Sequence, residues 1–158
     1  MEYKLFLTCP IGLEKYLDIE LRKLNINNST IVRGGIAFNG TLKDIYNINY
    51  NVKNGMNLLI EMFEFACVNE KILYHNLSKL CWSKYISRIH NVSINVKGNP
   101  NYVKNSNFVK LKVKDSIVDF FNKRSNYRIK ISKNSNFRIE VYLMNKKVKI
   151  FLNSSGTP

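Results

Sequence analysis

The 158-residue sequence predicts an α+β fold built as two small units. Three observations predict it. Alternating stretches such as Tyr3–Thr8 and Val92–Val96 have the period of a strand, whereas the stretch from Leu13 to Leu24 repeats leucine and tyrosine at helical spacing. These two kinds of segment are interleaved along the chain. A hydrophobic content of 45% with only three prolines is the balance of a globular protein, not a disordered one.

The elements follow in order. Tyr3–Thr8 is a strand, ended by Pro10 and Gly12. A helix carries Leu13, Tyr16, Leu17, Leu21 and Leu24, and Asn25–Asn28 breaks it. Thr30–Arg33 and Ile36–Phe38 are short strands around Gly34-Gly35, a pair suited to a positive-φ hairpin turn. Thr41 caps a second helix through Ile45 and Ile48, and Met56–Phe65 is a mostly apolar strand. The order β-α-β-β-α-β makes residues 1–65 a ferredoxin-like unit. The second unit, residues 66–158, opens with a helix over Asn69–Leu80. Trp82, Tyr85 and Ile86 then read as core anchors. Val92–Val96 is a strand, closed by Lys97-Gly-Asn-Pro100 and a polar loop. Phe137–Leu143 and Val148–Leu152 form a hairpin around Asn145-Lys146.

Segment 108–121 admits two patterns. Phe108–Lys114 alternates and suits an edge strand with its lysines on one face. Val109, Val113, Ile117, Phe120 and Phe121 suit one face of a helix, and the helix is favoured. On a helix Lys110 and Lys114 are a repelling i,i+4 pair, which a bound anion would relieve.

Charge is lopsided. Residues 97–158 hold fourteen Lys or Arg against Asp115, Asp119 and Glu140, so +11 of the total +14 lies there. Such a field favours a polyanion, through release of its condensed counterions. A coding bias toward A and T is the plain alternative, since Lys outnumbers Arg 19 to 6, but bias alone does not cluster charge in one half.

The missing motifs exclude much chemistry. Two histidines and three scattered cysteines, with no Cys-x-x-Cys, argue against zinc and catalytic triads. The seven glycines form neither a P-loop nor a dinucleotide fingerprint. With no adjacent prolines, the Asn-Pro-Pro-aromatic motif of amino-methyltransferases is absent. Cys81 reads as a small buried hydrophobe. No catalytic, cofactor-binding or metal site is expected in this chain. No apolar run approaches membrane-spanning length, and the N-terminus is not that of a signal peptide, so a cytoplasmic chain with reduced thiols and no membrane partner is expected.

Several stretches together carry a resemblance. These are Phe6-Leu-Thr-Cys-Pro-Ile-Gly-Leu-Glu14, Val32-Arg-Gly-Gly-Ile-Ala-Phe-Asn-Gly40, Trp82, Asn105-Ser106, Lys112-Val-Lys-Asp-Ser-Ile-Val-Asp119 and the closing strand into Ser155-Gly156. The chain resembles the N-terminal portion of bacterial RlmL-type (RlmKL) 23S ribosomal RNA guanine-N2 methyltransferases, a ferredoxin-like domain followed by an α/β THUMP domain. The family's usual arginine is missing around Val52–Leu59, and Asn153-Ser154 stands where an acidic residue is usual.

The resemblance implies an RNA-binding module that positions structured ribosomal RNA for a catalytic domain, with the helix around 107–123 supplying basic surface. It also implies S-adenosylmethionine for that catalytic domain, in cis or in trans, and a chain that is an excised domain or a shortened product. Lys97, Lys104, Lys110, Lys112 and Lys114 would meet phosphates, and Asn105 and Ser106 would hydrogen-bond to the RNA backbone or 2′-hydroxyls. Tyr102 is the candidate for stacking on a base. The alternative is a degenerate domain that serves only structure or protein interaction.

Overall fold

A computed structural model describes residues 1–155, and Gly156 of the resemblance lies outside the described residues. The chain divides into two compact units. Met1–Glu61 and the segment from Asn153 form one, and Met62–Leu152 forms the other. The division falls at Glu61, where the sequence suggests residue 65, and it returns Asn153 to the first unit. Distant backbone pairing of this kind leaves no local signal.

In the first unit the strands are β1 (Tyr3–Thr8), β2 (Ser29–Val32), β3 (Gly35–Gly40) and the start of β4 (Leu58–Ala66). The helices are α1 (Glu14–Lys23) and α2 (Leu42–Asn51). The strand order β2-β3-β1-β4 is antiparallel throughout, as the β-α-β-β-α-β reading requires. Leu5, Leu7, Leu17, Leu21, Ile36, Ile45, Ile48 and Leu58 fill the core. Thr41 caps α2 in a reciprocal box with Asp44. Gly34 holds φ +83° in the β2–β3 turn, and its N–H donates to Glu14 Oε1 at 2.9 Å. That bond leads the causes holding the Glu14 carboxyl below the usual carboxylate range.

In the second unit the order runs from the end of β4 through β8 (Lys147–Asn153), β7 (Phe137–Leu143) and β5 (Asn91–Lys97) to β6 (Lys130–Ile131). Strand β5 is parallel to both β6 and β7. Helices α3 (Glu70–Ser78) and α4 (Ser106–Ser125) complete the unit, with a single 3-10 turn at Trp82–Lys84. Segment 108–121 is helical. Val109, Val113, Ile117 and Phe121 are buried by it while Leu111 is exposed, whereas an edge strand would put Leu111 on the same face as Val109 and Val113. Trp82 is fully buried, as a core anchor. Its Nε1 donates to Ser116 Oγ at 2.9 Å and that hydroxyl donates to the Leu77 carbonyl at 2.7 Å, which ties α4 to α3. Gly98 leaves β5 with φ +97°, and a Cβ there would collide with the Leu143 carbonyl, so only glycine serves.

Candidate nucleic-acid interface

Helix α4 begins at Asn105, whose Oδ1 accepts from Phe108 N–H at 2.8 Å. The cap is worth about 1 kcal/mol and occupies one of the two groups with which Asn105 could meet a ligand. Ser106 is exposed in the first turn, which carries no acid to complement the helix dipole. Lys104 is exposed, and its backbone N–H donates to Glu70 Oε1 at 3.0 Å.

Successive residues turn about 100° around the helix axis. Lys110 and Lys114 therefore share one flank, both exposed and without an acidic partner among the described residues. Lys112 lies about 200° from Lys110, on the other flank. There it is half-buried, with Nζ 5.3 Å from the Tyr74 ring centroid and 5.4 Å from that of Phe108. The three lysines are thus divided between two surfaces, because their i,i+2 spacing suits one face of a strand and not of a helix.

Lys97 ends β5, exposed, with Nζ 3.5 Å from the Tyr142 hydroxyl and 5.4 Å from its ring centroid. Tyr102 packs against the core of the second unit and donates its hydroxyl to the Met144 carbonyl at 2.6 Å. Desolvation by this burial, then the neighbouring Cys67, pushes the phenol up to about 12. A half-buried, tethered ring offers little face for stacking.

The Lys112 flank of α4 faces α3 across a groove of about 210 Å³. Sequence reasoning missed its residues: Tyr74, Ser78, Phe120, Lys123 and Arg124. Tyr74 is 55% exposed, and Arg124 lies 4.6 Å from the Phe120 centroid. A basic residue four places from an aromatic one on a helix was the only signal available. Near Arg124, the Cys81 thiol is held below its ordinary range. The hydrogen bond it shares with Ser83 is the first cause; then, opposed by partial burial, come the positive charges of Arg124 and Lys84. A second cavity, of about 520 Å³, lies within the first unit over Leu7, Ile48 and Val52, with Asn49, Asn57 and Ser154 on its polar side. Among the described residues no three His, Cys, Asp or Glu side chains gather to hold a metal, and no helix is long and apolar enough to cross a membrane.

The family model of the RlmL ferredoxin-like domain matches residues 4–54, and that of the THUMP domain matches residues 67–153. The chain belongs to the THUMP family. Over 154 residues it is 30% identical to the ribosomal RNA large subunit methyltransferase K/L of Psychromonas ingrahamii, covering 97% of this chain and 21% of the relative. It is 31% identical over 153 residues to the protein of that name from Buchnera aphidicola, covering 96% and 22%. The THUMP chain thus spans about a fifth of the length of these relatives. A solved structure titled as a predicted N6-adenine-specific DNA methylase from Listeria monocytogenes matches with a TM-score of 0.86 at 20% identity, over 99% of this chain and 41% of that one. At that identity the likeness is one of fold. The α4 lysines and the α3–α4 groove both lie inside the THUMP match.

Proposed function

We propose that this chain is the RNA-binding portion of a ribosomal RNA guanine-N2 methyltransferase, and that it positions structured RNA for a catalytic domain in cis or in trans. The observation that carries the reading is the exposed pair Lys110 and Lys114 on α4, unneutralised by any described carboxylate, within a THUMP match whose relatives bear a ribosomal RNA methyltransferase name. Lysine is a point charge that neutralises phosphate without reading a base. Lys97, Lys104, Lys110, Lys112 and Lys114 bind phosphates, and Ser106 with the free amide of Asn105 reaches the sugar–phosphate backbone. The ribosomal substrate places the work in the cytoplasm.

S-adenosylmethionine does not fit the described residues. The α3–α4 groove is smaller than a site for a ligand of that size. The cavity of the first unit offers neutral amides and hydroxyls but no carboxylate for a ribose. The cofactor belongs with the catalytic domain.

The test is a titration of a ribosomal RNA helix with a single-stranded end, at salt concentrations from about 50 to 200 mM. Five phosphate contacts give a log K against log salt slope of about −3.5 to −4.5. Replacing Lys110 and Lys114 with Ala makes the slope shallower by about 1.4 to 1.8, and weakens different RNA sequences alike. A wild-type slope near zero would sink the proposal and leave a structural or protein-interaction domain.

A further inference from the structure

We infer that the groove between α3 and α4 holds one guanine base of single-stranded RNA, a reading that rests on the RNA-binding function proposed above. Its charges are sorted by position. Lys112 stands at one end and Lys123 with Arg124 at the other, eleven or twelve residues along α4, which is about 16 to 18 Å. Asp115 and Asp119 lie between them, one turn apart and exposed. Lys123 sits four places beyond Asp119, yet neither carboxylate makes an ion pair with a cation among the described residues. The side of the groove toward α3 is aromatic, with Tyr74 55% exposed and Lys112 Nζ 5.3 Å from its centroid.

This pattern excludes simpler ligands. A free phosphate would meet the two aspartates, and a metal ion or a peptide guanidinium would meet three cations. A short single strand of several nucleotides orders its charges in the matching way, with anionic phosphates reaching the two ends and one neutral planar base between them. About 210 Å³ admits one base and not a drug-sized molecule. Tyr74 supplies the stacking face.

The carboxylates select the base. An ionised carboxylate only accepts hydrogen bonds, so the base must present N–H donors with no acceptor between them. Guanine places N1–H and the N2 amino group side by side on one edge, matching the two oxygens of a carboxylate. Adenine and cytosine set a ring acceptor beside their amino group, and uracil flanks its one N–H with two carbonyls. Each of these would turn a lone pair toward Asp115 or Asp119.

The full chain is titrated by fluorescence anisotropy with labelled heptamers of uridine carrying guanine, inosine, adenine or cytosine at the centre. The guanine heptamer binds about tenfold more tightly than the adenine one, as a bidentate contact requires, with inosine between them because it lacks the N2 amino group. Asp115→Asn with Asp119→Asn abolishes the ranking and does not weaken all-uridine binding, since both side chains are exposed and their loss removes only negative charge. Lys110→Ala with Lys114→Ala weakens every heptamer and keeps the ranking. Equal affinity for all four centres in the wild-type chain, or a guanine preference that survives the Asn substitutions, overturns this inference alone. Failure of every heptamer and of the ribosomal helix to bind overturns it together with the proposed function. Displacement of bound heptamer by acetyl-arginine amide, but not by guanosine monophosphate, assigns the groove to a protein side chain and also overturns it.

Discussion

Asp18 shows how one carboxylate can make a unit sensitive to acid. It is 8% exposed and accepts from Ser29 Oγ at 2.6 Å and from Arg22 Nε at 2.8 Å. The Ser29 hydroxyl first, and Arg22 second, hold its carboxyl below the usual carboxylate range. A folded-state pKa below the unfolded one gives stability that is present above the unfolded value and lost as pH falls through the folded one. Urea unfolding should therefore show the midpoint dropping as pH is lowered below about 4. Asp18→Asn should cost about 1–3 kcal/mol at neutral pH, since a charged acceptor is lost, and should make the acid dependence less steep. An unchanged acid dependence in that variant would assign the sensitivity to other carboxylates. Asp18 and Ser29 are eleven places apart, and nothing local in the sequence announces their bond.

One end of helix α4 holds an observed cap and a proposed RNA contact. The Asn-Ser pair reads from sequence as a contact for RNA, and the structure spends the Asn105 oxygen on capping. The two roles separate by substitution. Asn105→Ala should lower stability by about 1 kcal/mol in thermal or urea melts. Asn105→Asp keeps a capping oxygen and suits the helix dipole, so stability should hold while affinity for RNA falls through the added negative charge. If Asn105→Asp binds RNA as wild type does, this helix end does not approach phosphate. The helix itself was legible, because Val109, Val113, Ile117 and Phe121 recur on one face. Strand β6 was not, since two residues, Lys130 and Ile131, are too short to show a period.

For the molecule as a whole, the question is whether clustered charge is selected or drifted. Drift predicts that any exposed lysine contributes alike to binding a polyanion. Lys15 and Lys43 are exposed in the first unit, so their replacement by Ala is the control for Lys110 and Lys114. The Lys15/Lys43 variant should keep the wild-type salt slope, whereas the Lys110/Lys114 variant becomes shallower by about 1.4 to 1.8. Equal changes in both would mean that the charge is a general property of the composition. Sequence alone determined the order of the helices and of every strand but β6, the Thr41 cap and the basic bias of the second half, because period, capping chemistry and charge are properties of neighbouring residues. The tertiary structure decided that Lys112 faces Tyr74 while Lys110 and Lys114 turn away, and that β5 runs parallel to β7. Those relations join residues dozens of places apart, and only the burial of a shared core brings them together.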